Sequence, residues 1–180
     1  NPGGPGVFHH CAVRSTVSPK GLVAMPAKAA DESLRPYRAR RDFTRTQEPA
    51  GQPARRRAAK ALSFVVQKHD ATRLPYDFRL DVKGTLKSWA VTRGPSLVPS
   101  DKRLAVETED HPIEYLRWEG AIPKGQDGGG TMSVWDTGTW IPAGDVAAGL
   151  AKGDPEFALQ GERLRGRRQQ CDAGRPGQQL

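Results

Sequence analysis

Cysteine is nearly absent from this chain. There are two in 180 residues, Cys11 and Cys171, one near each end. Neither lies in the patterned middle, so no disulfide framework is expected, and this fits a reducing cytoplasm. Long apolar runs are missing too. Nothing approaches the roughly 18 residues needed to cross a bilayer, and Gly21-Leu-Val-Ala-Met25 is too short for a signal core followed by a cleavage site. The sequence therefore predicts a soluble protein with no membrane partner. Acidic residues fall short of basic ones, 20 against 28, leaving a net charge of +8 and a pI of about 9.9. A positive field speeds encounter with polyanions, phosphate above all. Many basic proteins bind nothing in particular, so charge admits a nucleic-acid partner without requiring one.

Long helical periodicity is scarce as well. The 20 Gly and 15 Pro and the mean hydropathy of -0.65 point to short strands, many turns and one compact core with solvated ends. Residues 1–36 are rich in Gly, Pro, Ala and Ser without periodicity and read as a disordered arm. Met25 offers itself as a natural start, with residues 1–24 as upstream sequence; a genuine flexible arm is the alternative. Residues 37–60 are basic, with Tyr37 and Phe43 interleaved among arginines and Arg55-Arg-Arg57 beyond. This run reads either as a solvated tail or as a segment along a phosphate backbone whose aromatics stack on unpaired bases.

From Leu62 the pattern changes. Ser63–His69 reads as a strand. Leu74–Asp81 alternates strictly, with Leu74, Tyr76, Phe78 and Leu80 on one face and Pro75, Asp77, Arg79 and Asp81 on the other. Lys83-Gly84 is a turn and Leu86–Val91 the returning partner. Arg103–Glu109 is another strand. Thr131–Asp136 and Gly138–Ile141 flank an expected tight turn, Val146–Lys152 is a short helix, and Glu156–Leu159 is a last strand. The fold class is mainly β, a small antiparallel β-barrel with short helices and flexible ends.

Three groups of residues invite chemistry. Asp77 and Arg79 lie side by side, about 7 Å apart along one strand face, with His69 at the end of the preceding strand. A His and an Asp can bind a divalent ion and an Arg can hold a phosphate; an ordinary surface salt bridge beside a turn histidine is the plainer reading. Glu109-Asp-His-Pro112, with Tyr115 following, places an acid-flanked histidine at a strand end, either a catalytic placement or a surface accident. Glu119–Gly125 runs into Gly128-Gly-Gly130. That glycine run lacks the lysine-serine ending of a P-loop and fits a tight β connection better than a nucleotide cradle.

Read together, Arg41-Asp-Phe-Thr44, Glu48-Pro49, Phe64–Leu74, Tyr76-Asp-Phe-Arg-Leu80, Leu86–Val91, Gly94-Pro-Ser96, Asp101–Val106, Glu109-Asp-His-Pro112 and Glu119-Gly-x-Ile-Pro123 resemble the 3′-phosphoesterase domain of bacterial DNA ligase D. The resemblance covers residues 37–167. It implies a manganese-dependent phosphoesterase of β-barrel fold that removes a 3′-phosphate or a 3′-terminal ribonucleotide in double-strand-break repair. Metal ligands would be His69 and Asp77. Arg79 and His111 would grip the phosphate, Tyr115 would assist, and Gln67 would support the metal cluster. Arg41, Asp42 and Glu48 would serve the ribonucleotide-removal step. The implied partners are DNA 3′ ends, primer-template or nicked and carrying a terminal ribonucleotide, together with ligase and polymerase domains and Ku. The implied compartment is the bacterial cytoplasm, at the nucleoid.

The chain departs from the family pattern in places. Pro75 stands where the family has a metal-binding histidine, and proline offers neither a ligand atom nor a backbone donor. Asp127 stands where a tyrosine is usual. Residues 168–180 are polar and without strand pattern; the expectation is a disordered tail, which resembles out-of-frame translation, with a natural flexible tail as the alternative. The expectation is a phosphoesterase impaired at its metal site; the alternative is a non-catalytic nucleic-acid-binding relic of that domain.

Overall fold

The computed structural model of the chain describes residues 27–52, 62–70, 76–98, 101, 103–153, 155–168 and 172–174. The expectations for residues 1–26, Arg55–Arg57, Pro75, 169–171 and 175–180 lie outside the described residues.

Among the described residues ten strands form one sheet in the order β10-β4-β3-β2-β1-β7-β8-β9, curled into a half-barrel, with β5 paired to β3 and β6 to β7. The strands are β1 (Ser63–Asp70), β2 (Tyr76–Val82), β3 (Thr85–Val91), β4 (Leu104–Glu107), β5 (His111–Pro112), β6 (Gly120–Ile122), β7 (Gly130–Pro142), β8 (Phe157–Gly161), β9 (Arg165–Arg168) and β10 (Asp172–Gly174). All pairings are antiparallel except β10 with β4. Between β2 and β3, Lys83 and Gly84 both take positive φ, 57° and 90°, the backbone of a tight hairpin turn. That turn sets the register, pairing Val82 with Thr85 and, three steps out, Arg79 with Ser88.

Alternation divides the side chains between two faces. Phe64, Val66, Phe78, Leu80, Trp89, Trp140, Phe157 and Leu159 belong to the main apolar core. Phe78 is its centre, stacked 5.7 Å from Phe157 and tilted 5.9 Å from Trp89. On the other face, Tyr37, Leu86 and Tyr115 form a smaller cluster, with Phe43, Ile113, Leu116 and Trp118 against it.

Four expectations change in the structure. Residues 27–36 are not an arm without structure. They form α1 (Ala27–Ser33) and the start of α2 (Arg35–Ala39). Ala30, Leu34 and Tyr37 supply a short buried stripe, and Pro36 sits in the first turn of α2, where a missing N–H costs nothing. Tyr37, read as a surface stacking residue, is completely buried; its hydroxyl donates to the Pro49 carbonyl at 2.7 Å. The turn expected between Thr131–Asp136 and Gly138–Ile141 is absent, since β7 runs unbroken through it. A bulge opposite Val66 and Gln67 and the close passage of Gly138 over β8, where an added Cβ would lie 2.2 Å from the Gln160 carbonyl oxygen, bend the strand without ending it. Lastly, residue 168 ends β9 and residues 172–174 pair with β4. Strand pairing through backbone hydrogen bonds needs no apolar alternation, so the polar tail gave no sign of it.

Candidate functional site

The site lies on the smaller-cluster face. Arg79 projects from the middle of β2 and is 3% exposed. Its Nε donates to Gln67 Oε1 at 2.9 Å, its Nη1 to Ser88 Oγ at 2.9 Å and its Nη2 to Asp77 Oδ2 at 3.2 Å. The guanidinium lies over the Tyr115 ring, 4.9 Å from its centroid. Each brace has its own support. Gln67, on β1, donates to the Trp118 and Tyr115 carbonyls at 2.7 and 3.3 Å. Ser88, on β3, donates to the Leu86 carbonyl at 3.0 Å. A buried cation is tolerated when it is paired and hydrogen-bonded in this way. A guanidinium has five N–H groups, so these three bonds leave one N–H on each terminal nitrogen.

His69 and Asp77 meet beside it, Nδ1 to Oδ2 at 3.9 Å. His69 Nε2 is buried without a hydrogen-bond partner among the described residues, a condition that suits a bound ion or ligand. Behind it stands Gly130, φ 147°, where an added Cβ would lie 2.9 Å from His69 Nε2 and 2.6 Å from the Asp70 carbonyl oxygen. The glycine run after β6 is therefore a β connection, and its last member leaves room for the His69 ring. As a metal centre the donor set is partial. It offers one imidazole nitrogen and one carboxylate, the latter shared with Arg79, and no group of three or more His, Cys, Asp or Glu side chains gathers among the described residues.

The far wall comes from β5, the 3₁₀ turn Ile113–Arg117 and the segment after α2. His111 is 4% exposed, its ring centroid 5.1 Å from Tyr37 and 4.9 Å from Tyr115. Burial first, then the charges of Arg79 and Arg41, hold its pKa well below 6.5. The Tyr115 hydroxyl donates to Glu48 Oε1. Burial, then Tyr37 and Glu48, raises the Tyr115 pKa, and burial pushes that of Tyr37 up to about 12. Both phenols are therefore hydrogen-bond donors and not bases near neutrality.

Arg41 ties this wall together. Its Nε donates to Glu48 Oε1 at 3.1 Å and its Nη1 to Glu109 Oε1 at 2.6 Å, while its guanidinium lies 4.2 Å from the Tyr37 centroid. Burial opposes its charge, but Glu109 and Glu48 outweigh burial and raise its pKa. Burial likewise opposes the charge of Glu109, and the Arg41 hydrogen bond overcomes it, so this carboxyl sits below its ordinary value. Thr46 donates to the second Glu48 oxygen at 2.9 Å.

Of the nine residues expected here, eight gather in this one cluster. Asp42 stands apart. It is exposed, and its carboxylate accepts from the Thr44 hydroxyl and amide at 2.6 and 3.1 Å, which closes a turn. Asp127 is 50% exposed, 3.8 Å from Arg41 Nη1, at the rim. Ser88 and the Arg41-bound role of Glu109 were missed by sequence reasoning. The hairpin count from Lys83-Gly84, which pairs Arg79 with Ser88, was a usable signal for the first. None pointed to the second, which joins residues 68 apart in sequence.

The family described as the DNA Ligase D 3′-phosphoesterase domain matches residues 67–169. The chain is 52% identical over 138 residues, 77% of its length, to the multifunctional non-homologous end joining protein LigD of Pseudomonas aeruginosa. It is 39% identical over 142 residues, 76% of its length, to the protein of that name from Mycolicibacterium smegmatis. It is 45% identical over 114 residues, 63% of its length, to the LigD end-joining repair protein of Mycobacterium tuberculosis. The chain spans 16%, 18% and 15% of the lengths of these three relatives. By its matched motifs and by the extent of this identity, the chain belongs to the DNA ligase D 3′-phosphoesterase domain family.

Proposed function

We propose that this chain processes DNA 3′ ends in double-strand-break repair, removing a 3′-phosphate and trimming a 3′-terminal ribonucleotide. The observation that supports this reading most is the braced Arg79 guanidinium. Three of its N–H groups are held by Gln67, Ser88 and Asp77, which aims the remaining pair as a fixed fork suited to two phosphate oxygens. Tyr115 lies in direct contact with the guanidinium and His111 packs against Tyr115, so a phosphate held by Arg79 would lie next to His111, with Tyr115 assisting by holding both side chains in place. The fixed dipoles and charges would favour the charge that develops on phosphate oxygens during ester cleavage. Arg41, with Glu48, orders the wall that holds Tyr115, and Asp42 shapes the turn between them, which is how this segment would serve a substrate with a terminal ribonucleotide.

His69 and Asp77 would hold manganese, which when bound would neutralise charge on the phosphate. With two protein donors, and Pro75 where the family places a further histidine, we expect that ion to bind weakly. Loss of even a supporting residue costs roughly 10–100-fold in metal affinity or activity. The domain would then be a weakened hydrolase that retains DNA binding. A non-catalytic relic is the second reading, and the same partial donor set supports it.

The proposed substrates are primer-template or nicked DNA ends. The relatives' names as non-homologous end joining proteins support ligase and polymerase domains and a Ku-like end-binding protein as partners, and the cytoplasm at the nucleoid as the compartment. No helix among the described residues is long and apolar enough to cross a membrane. The test is release of inorganic phosphate from a 3′-phosphate primer with and without manganese, comparing the chain with Pro75→His. Manganese-dependent release that rises at least tenfold in the variant supports the weakened enzyme. No release by either supports the relic. Release by the unaltered chain at a rate that Pro75→His leaves unchanged overturns the metal assignment.

A further inference from the structure

The protonation of His111 is set by its neighbour in the backbone. Its Nδ1 lies 2.8 Å from the Glu109 carbonyl oxygen. A carbonyl oxygen accepts and never donates, so Nδ1 carries the proton. In a neutral imidazole the other nitrogen, Nε2, is then a bare lone pair directed away from that carbonyl. The ring is clamped between two buried aromatics, Tyr37 from α2 and Tyr115 from the 3₁₀ turn.

The charges around it oppose a third proton-bearing cation. Arg79 faces it from β2 and Arg41 from the segment after α2, and both join burial in holding the ring neutral. The nearby carboxylates are committed elsewhere: Glu109 to Arg40 and Arg41, Glu48 to Arg41, Tyr115 and Thr46. On the paired strand β3, Lys87 Nζ turns to Asp110 at 2.8 Å. A neutral His111 with its proton on Nδ1 therefore presents an acceptor, not a donor, to any phosphate that reaches Nε2. A phosphate dianion presents acceptors as well, and two acceptors cannot bond without a proton between them.

We propose that a terminal phosphate enters this site together with one proton, shared between His111 Nε2 and a phosphate oxygen, so that the site reads the protonation state of a 3′ end. The inference rests on the reading of the Arg79–His111 cluster as a phosphate site. The proton balance is simple. A phosphate monoester ionises for the second time near about pH 6, so at pH 7.5 the dianion dominates and binding draws one proton from water. The incoming charge offsets Arg79 and Arg41, which makes room for that proton.

The test is calorimetric titration of the whole chain at pH 7.5 with a 3′-phosphate oligonucleotide, in two buffers of different ionisation enthalpy. The same oligonucleotide with a 3′-hydroxyl is the control. The expected result is uptake of about one proton per phosphate bound, none for the control, and a 3′-phosphate preference that falls by up to about tenfold per pH unit above neutrality. His111→Gln, which can donate without titrating, should abolish the uptake and flatten the pH dependence of whatever preference remains. A phosphate preference without buffer dependence overturns the inference and leaves the phosphate reading standing. No preference for the 3′-phosphate overturns both. Independently of any ligand or variant, long-range proton–nitrogen NMR of the free chain at neutral pH should show His111 protonated at Nδ1 and bare at Nε2. The opposite tautomer, or a doubly protonated ring, overturns the inference.

Discussion

The two faces of the β1–β2–β3 sheet are buried to the same degree and built on different principles. On one, Phe64, Val66, Phe78, Leu80 and Trp89 fill space with hydrocarbon. On the other, Gln67, Arg79, Ser88, His111 and Glu48 are all less than 9% exposed. The apolar face is held by area removed from water, which is non-directional and tolerant of small shifts. The polar face is held by pairing: each of these groups bonds to at least one named partner, and a lost partner leaves a desolvated donor or acceptor behind. One face therefore fixes the fold, and the other fixes the direction of a few atoms. A single strand supplies both, because Phe78 and Leu80 flank Arg79.

The comparison can be broken hardest at the apolar face. Phe64→Ala removes a fully buried ring 6.3 Å from Phe78. We expect it to cost about 3–5 kcal/mol in denaturant unfolding, far more than any single change on the polar face; a cost under about 1 kcal/mol would show that this core is loosely packed. On the polar face the first loss should be ligand affinity. Arg79→Ala should weaken binding of a 3′-phosphate end by about 1.5–3 kcal/mol, whereas Arg175→Ala, a change of equal charge near the C-terminal end, should hardly matter. Equal effects would refute the site.

Ser88→Ala sharpens the contrast further. It removes one brace of Arg79 without touching charge. Stability should fall by about 0.5–1.5 kcal/mol, and Ser88→Thr should recover phosphate affinity better than Ser88→Ala if aiming Arg79 is what the hydroxyl does. Smaller still is a pH effect. Glu109 has a folded-state pKa below the ordinary 4.5. Its contribution is therefore present above about 4.5 and is lost as pH falls through the lower folded value. Thermal unfolding from pH 6 down to pH 3 should decline less steeply in Glu109→Gln than in the unaltered chain. The least effect belongs to Asp42→Ala. Its exposed side chain is hydrogen-bonded to Thr44, and its carbonyl keeps its bonds to the Arg45 and Thr46 amides in the variant, so the urea midpoint should move only slightly.

The local elements were legible in the residues. Alternation marked β1 to β3, and Lys83-Gly84 marked the hairpin turn, because strand periodicity and turn backbone are properties of a few neighbouring residues. The motif run around Phe64–Leu80 also marked His69, Asp77 and Arg79 as neighbours. Reading failed where the cause was distant. Polar residues 27–36 become helical because Leu34 and Tyr37 find a surface to bury against, and Gly51, φ 80°, passes close to Leu34 and Pro112. The unbroken β7 depends on its bulge against β1 and its close passage over β8, neither of which leaves a local trace.

What the sequence determined by itself is the strand pattern of β1 to β3 and the family, since both are written in residue type and spacing. What tertiary structure alone decided is how the reactive side chains are engaged. Arg41 reaches Glu109 across 68 residues, and the Glu109 carbonyl fixes the His111 proton. Burial turns Tyr37 from a stacking platform into a floor beneath Arg41. Those outcomes depend on which groups lose their water together, and desolvation is a property of the packed chain rather than of any segment of it.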